Sequence, residues 1–224
     1  MSMKTCFLSC FLFLNIFMTA APSLPRYWLI EEDFIKMGKK ELYEEEKKKE
    51  LQQGSFEIVG IEDLENPQYV FLMPLEGIAS LSLYPPLVNK KNPLLSSCLH
   101  FKIFSLHELL EKCSFRAEST LLDSSPYFSY VLYTISSGSE AVFEEHLTSL
   151  CAKQTKASCL SWRVWKVLIG TDVPKYLVCL SFPTKEELKE AKMEEVFEEI
   201  VMRDIIKDRK AGWMKKQKNL CRVK

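Results

Sequence analysis

Residues 27–35, YWLIEEDFI, alternate in part between apolar and polar positions and are rich in aromatic and β-branched side chains, which is the pattern of a strand. Gly38 punctuates it, and KKELYEEEKKKELQQ follows with strong helix formers and with Glu44→Lys48 and Glu45→Lys49 pairs one helical turn apart. Gly54 then closes that helix. SFEIVGIEDL and QYVFLMPL read as two more strands, with the turn at Pro67 between them. One hundred residues on, the order recurs: YFSYVLYTI as a strand, Gly138, and EAVFEEHLTSLCAKQ as an amphipathic helix with apolar Val142, Phe143, Leu147, Leu150 and Cys151. The strand SCLSWRVWKVLIG, the turn TDVP and the strand KYLVCLSF complete the series. Ile35 matches Ile135, Gly38 matches Gly138, Tyr43 matches Phe143, and Tyr69 matches Tyr176.

The segments after each strand pair are harder to read. SLSLYPPLVNKKNPLLSSCLHF is broken by proline, SLHELLEKC reads as a helix, and SFRAESTLL reads as a strand or a linker. Thr184 and Glu187 stand three apart as a capping box, and a long C-terminal helix over 185–210 is predicted from there. WRVWKVLI is apolar on both faces, as a strand buried on both sides must be. The expected division is residues 1–23 as a leader, 24–122 as a first unit that is degenerate after 77, and 123–224 as a second unit.

The opening MSMKTCFLSCFLFLNIFMTAAPSLP carries Lys4, an apolar run from Cys6 to about Ala21 and then small residues. This is the shape of a secretory signal peptide, and the run is shorter than the roughly 20 residues of a membrane span. The reading is an exported protein, periplasmic or secreted, with no stable membrane span after cleavage. Six of the 8 cysteines would then remain, Cys98, Cys113, Cys151, Cys159, Cys179 and Cys221, which allows fifteen pairings. Acids and bases balance at 30 each, so no overall field favours nucleic acid. Neither GxGxxG nor GxxxxGK[ST] occurs, nor does CxxC or GxSxG.

FIKMGKKELYEE and ISSGSEAVFEEHL, each followed by two strands, resemble the dimeric α/β-barrel superfamily, which includes the antibiotic-biosynthesis-monooxygenase-like proteins. The resemblance spans about residues 27–210, with 77–126 matching poorly. It implies an α+β fold: two tandem ferredoxin-like units whose antiparallel sheets pack as a barrel with helices outside. The second copy would supply the half-barrel that a single unit lacks. Some members bind haem through a histidine, and the haem-degrading branch uses an asparagine on its first strand. Neither YWLIEEDFI nor YFSYVLYTI contains one.

The candidate ligand-binding residues are few. Glu31 and Asp33 share one face of their strand, and Tyr133 stands at the matching place in the second unit. Paired carboxylates serve acid–base work when their pKa values are split, although acids on a strand are ordinarily solvated or paired with a lysine. Arg163 and Trp165 share a face of their strand and suit an anionic or planar ligand, or else simple packing. His146 falls between Val142 and Leu150 and is the haem-ligand candidate, against the ordinary reading of a packed histidine. His100, His107 and His146 form no HxxxH or HxH, so no protein-built metal site is expected, and haem is the one cofactor the resemblance admits. A small molecule is the expected partner. The readings are a ligand-binding or non-catalytic barrel, a monooxygenase-like or haem-binding enzyme, and a secreted protein-interaction module.

Overall fold

The computed structural model describes residues 25–54, 57–83, 92–115, 125–154, 161–170, 172–190, 202 and 204–222. The leader, its cleavage site, Cys159, and the expected helical stretch 191–201 lie outside the described residues. The elements are β1 (Tyr27–Ile35), α1 (Lys40–Gln53), β2 (Val59–Asp63), β3 (Gln68–Leu75), α2 (Pro93–Cys98), β4 (Leu99–Leu109), β5 (Tyr127–Ile135), α3 (Glu140–Gln154), β6 (Ser161–Ile169), β7 (Lys175–Phe182), α4 (Lys185–Glu190) and β8 (Ile206–Lys216). The eight strands close into an antiparallel barrel in the order β1-β3-β2-β8-β5-β7-β6-β4. Each half contributes four adjacent strands, β4-β1-β3-β2 and β8-β5-β7-β6. Two seams, β2 with β8 and β4 with β6, join them.

The halves match closely. β1 and β5 share one burial pattern, residue for residue. Each is followed by a turn whose glycine has a positive φ, 74° at Gly38 and 86° at Gly138. A side chain at either position would strain the backbone, so the glycines recur where the turn requires them. α1 and α3 then lie on the outer faces of their own halves. Under α3 sits an apolar cluster that includes Val131, Tyr133, Phe143, Leu147 and Tyr176. Under α1 sits one that includes Leu29, Tyr43, Leu51, Tyr69 and Phe71. A third cluster draws on both halves and fills the barrel interior: Trp28, Ile30, Val70, Phe128, Tyr130, Trp165 and Met214 are among its members.

Two expected helices are strands. SLHELLEKC is the end of β4 followed by one 3-10 turn over 111–113, and 206–216 is β8 rather than the continuation of a helix. Local propensity yields here to pairing: β4 and β8 run beside β1 and β5 along nearly their whole lengths. The capping box holds, since the Glu187 backbone N–H donates to Thr184 Oγ1 at 3.2 Å. The buried stripe of α3 is Phe143, Leu147, Leu150 and Cys151, whereas Val142 is half-exposed. β6 is buried on both faces as its sequence indicated, apart from its last turnward residues.

The C-terminal segment ties the halves together beyond the sheet. Ile58 and Arg222 exchange backbone hydrogen bonds at 2.9 and 2.8 Å, and the Arg222 guanidinium donates to the carbonyls of Leu51 and Gly54. They lie in the last turn of α1 and at its C-cap, where Leu51 also accepts from the Gly54 backbone N–H at 3.3 Å. The second half thereby caps the helix of the first. Cys98, Cys113, Cys179 and Cys221 are free thiols, the first three buried.

Candidate functional site

Side chains alternate across the barrel wall, so parity decides where each candidate goes. Odd-numbered residues of β1 face outward, under α1. Lys47 of α1 descends onto them, its Nζ 2.6 Å from Glu31 Oε1, 3.4 Å from Asp33 Oδ2 and 3.0 Å from Glu50 Oε2. It also lies 4.3 Å from the centre of the Phe71 ring. The Tyr43 hydroxyl donates to Asp33 Oδ2 at 2.6 Å. Lys102, opposite Asp33 on β4, hydrogen-bonds Glu31 and lies 3.4 Å from Asp33 Oδ1. Glu31, Asp33, Tyr43 and Lys47 are all at most 2% exposed, and Lys102 at 22% is the most exposed member.

This arrangement splits the two carboxylates. Burial pushes both upward. At Glu31 the adjacent ammonium groups of Lys47 and Lys102 outweigh burial and bring the carboxyl below its ordinary range. At Asp33 burial prevails, helped by the neighbouring Glu31 charge, and its pKa rises to about 6. Burial opposes the charge of Lys47, but Glu31, Asp33 and Glu50 more than offset it, so Lys47 is held more firmly protonated than an ordinary lysine. Three carboxylates thus share two ammonium groups. Protonating Asp33 brings the set to balance.

The second half shows what the same positions look like without charge. One hundred residues on from Glu31, Asp33, Tyr43, Lys47 and Glu50 stand Val131, Tyr133, Phe143, Leu147 and Leu150, all buried and all in one apolar cluster. The strand partners correspond too: Glu31 pairs with Phe71 where Val131 pairs with Val178, and Asp33 faces Lys102 where Tyr133 faces Arg209. Packing a helix on this sheet therefore requires no ions. The first half carries them at a desolvation cost that the second half avoids.

The other candidates lie elsewhere. Tyr133 faces outward under α3, where its ring meets Phe143 at 5.4 Å. Arg163 and Trp165 face inward, and both are buried. The expectation that Glu31, Asp33, Tyr133, Arg163 and Trp165 converge on one cavity between the sheets is thus corrected: odd-numbered residues point out of the barrel on β1 and β5 but into it on β6. His146 is half-buried on α3, one turn position off the buried stripe. Lys47, Tyr43 and Lys102 were not anticipated, although the charge at Lys47 where the matching position is Leu147 is visible in the sequence.

A cleft of about 430 Å³ opens at the end of β4 against α3, lined by Arg26, Glu108, Glu111, Lys112, Glu144 and Glu145 with Cys113 among the buried residues at its edge. Arg26 is paired with Glu108, while Glu144 accepts from Lys166 and Tyr176. The described residues do not suit haem. His100 is exposed, His107 lies inside the barrel, and the layer beneath His146 is filled by the rings of Tyr133, Phe143 and Tyr176. The cleft presents four carboxylates to a ligand whose own carboxylates they would repel. Among the described residues, no group of three or more His, Cys, Asp or Glu side chains could hold a metal ion, and no helix is long and apolar enough to cross a membrane.

No protein-family model matches the chain, and no curated protein does. Solved structures match in fold. An anthrone oxidase-like protein aligns with a TM-score of 0.68 at 9% identity, over 86% of this chain and 92% of its own. A putative monooxygenase from Lactobacillus acidophilus NCFM aligns at 0.56 and 7%, over 86% and 94%. A mutant chlorite dismutase from Candidatus Nitrospira defluvii aligns at 0.56 and 8%, over 88% and 93%. The likeness is one of fold, a closed antiparallel barrel with helices outside, as the two sequence motifs indicated.

Proposed function

We propose that the protein binds a small, weakly acidic molecule in the layer between α1 and the sheet of the first half, and that Asp33 accepts the ligand's proton. The observation that carries this reading is the exchange of an apolar set for an ion network at matched positions of the two halves. Burial raises Asp33 to about 6, a value suited to a base working near neutral pH. Moving one proton onto it leaves Lys47 and Lys102 beside the ligand's anion, so the charge of the layer as a whole does not change. Lys102, the most exposed member of the set, is where the layer meets solvent. Oxygenation of the deprotonated ligand is the reaction class that fits both such a base and the fold likeness to an anthrone oxidase-like protein and a putative monooxygenase. Binding without turnover is the alternative. The matched halves are read as two copies of one unit, and export, suggested by residues 1–23, is part of the same proposal.

The probe is 4-nitrophenol, whose anion is coloured, titrated at pH 6, with dissolved oxygen followed in parallel. Saturable binding with the bound probe in its anionic form is expected. Asp33→Asn should still bind the probe but leave it protonated. Oxygen uptake would place the protein among the enzymes, while binding alone would make it a ligand carrier. Absence of saturable binding by this probe and by anthrone would defeat the reading. For export, intact mass of the native protein should show a chain starting between Pro22 and Leu24, and a retained Met1 would count against it.

A further inference from the structure

The barrel interior carries a second asymmetry, independent of Asp33. Ser105, His107 and Leu109 of β4 face inward at the β4–β6 seam, where a register shift falls between Leu106 and His107. Such bulges re-aim side chains. His107 pairs across to Trp28 on β1 and Val167 on β6, and Leu109 pairs with Trp165. His107 and Trp165 are therefore diagonal neighbours on the inner face. Trp28 and Trp165 meet edge to face, with ring centres 6.1 Å apart. His107 Nε2 shares a hydrogen bond with Ser105 Oγ at 2.8 Å. Among the described residues, neither His107 Nδ1 nor Trp165 Nε1 has a hydrogen-bond partner, although the residues are only 4% and 2% exposed.

The other seam serves as the control. By register, Ser105 corresponds to Gly212, His107 to Met214, Trp28 to Phe128 and Trp165 to Ile61. Those four side chains bring no polar atom to the interior. The polar pair nearby, Tyr130 and Asp63, is satisfied internally by a hydrogen bond of 3.1 Å. Filling the barrel at a seam therefore requires no imidazole or indole. An unmet donor or acceptor in such a place costs free energy unless something completes it.

We propose that the inner face of the β4–β6 seam is a binding site for a small uncharged molecule that presents an oxygen atom, a hydroxyl or a carbonyl, to His107 Nδ1 and Trp165 Nε1, with Trp28 as its apolar wall. The indole N–H donates to that oxygen. The imidazole accepts from a hydroxyl when Ser105 receives the Nε2 proton, and donates to a carbonyl when Ser105 gives one. An uncharged ligand is expected because burial holds His107 neutral, with its pKa lowered to about 3, so the imidazole brings no charge of its own to an ion beside it.

The test follows the Trp165 indole N–H resonance in 15N-labelled full-length protein, assigned through Trp165→Phe, during titration with phenol, cyclohexanone and benzene. A saturable shift with phenol or cyclohexanone, and none with benzene, is expected. His107→Met, which installs the residue used at the other seam and so preserves packing, should weaken binding of that probe at least tenfold while the rest of the spectrum stays folded. Val142→Ala, on the exposed face of α3, should leave it unchanged. Three results would each overturn the proposal: no saturable shift with either oxygen-bearing probe, an equal shift with benzene, or unaltered affinity in His107→Met. A high-resolution crystal soaked in the probes and holding only an ordered water between the two nitrogens would do the same.

Discussion

Leucine in place of Lys47 is expected to destabilise the protein by about 3–5 kcal/mol, the cost of leaving a buried carboxylate without its counter-charge. Glu31 and Asp33 would then share only Lys102, which is partly solvent-exposed. The companion experiment exchanges the whole layer for the set used in the second half: Glu31→Val, Asp33→Tyr, Tyr43→Phe, Lys47→Leu, Glu50→Leu and Phe71→Val. That variant is expected to match the wild type or exceed it by about 1–4 kcal/mol, as well-packed apolar replacements of buried ion networks often do. Phe71 is included because its counterpart under the apolar layer is the smaller Val178, and the added tyrosine ring needs that room. Lys102 stays, since the second half also keeps a cation, Arg209, opposite the corresponding position. Urea melts of both variants decide the matter. A single-variant loss below about 1 kcal/mol would mean that the network is hydrated rather than dry. Unfolding of the six-residue exchange would mean that the halves are not equivalent after all. Stability retained with proton acceptance abolished would separate what the ions do for the ligand from what they do for the fold.

Most of the fold was legible because seven elements carry strong local patterns. β1, β3, β5, β6 and β7 are dense in aromatic and branched residues, and α1 and α3 each follow a turn glycine and are rich in helix formers. β4 and β8 were not legible. LHFKIFSLHEL mixes lysine, histidines and glutamate into a strand whose first half is largely uncovered, and IKDRKAGWMKK is mostly exposed along its outer length. Neither shows alternation strong enough to compete with the helical propensity of Leu, Glu and Lys. Their strand character comes from β1 and β5, which are distant in sequence. The site was legible by halves. The shared face of Glu31 and Asp33 followed from alternation alone, and so did that of Arg163 with Trp165. Which face looked inward did not, because parity acquires a direction only once the register of neighbouring strands is fixed. His107 is out of reach of the sequence for the same reason, since SLHELLEKC has the local pattern of a helix and only its neighbours make it a strand.

Asparagine in place of Asp33 is expected to stabilise the protein at pH 8 by as much as about 3 kcal/mol, with the gain vanishing toward pH 4. The sign follows from the direction of the shift. Burial raises the Asp33 carboxyl from 3.8 to about 6 in the folded protein, so folding favours its protonated form. The corresponding stability is fully present below the unfolded value and is lost as pH rises through about 6. Above that, wild-type protein holds an ionised carboxylate in a layer already containing Glu31 and Glu50, whereas the asparagine variant never does. At about 1.4 kcal/mol per unit, the shift sets the upper bound given. The geometry tolerates the change, because the Asn Oδ1 can still accept from the Tyr43 hydroxyl that now reaches Asp33 at 2.6 Å. The lowered Glu31 carboxyl works in the opposite sense, its stabilisation present above its unfolded value and lost in acid, but it is common to both proteins and largely cancels in the difference. Thermal melts of the pair from pH 4 to pH 8 measure the effect. A difference that does not change with pH would show that Asp33 titrates as an ordinary carboxylate and would remove the physical basis for its role as a base. A variant more stable than wild type at pH 8, yet unable to take the proton of 4-nitrophenol, would show that the ionised form is kept for the ligand at the expense of the fold.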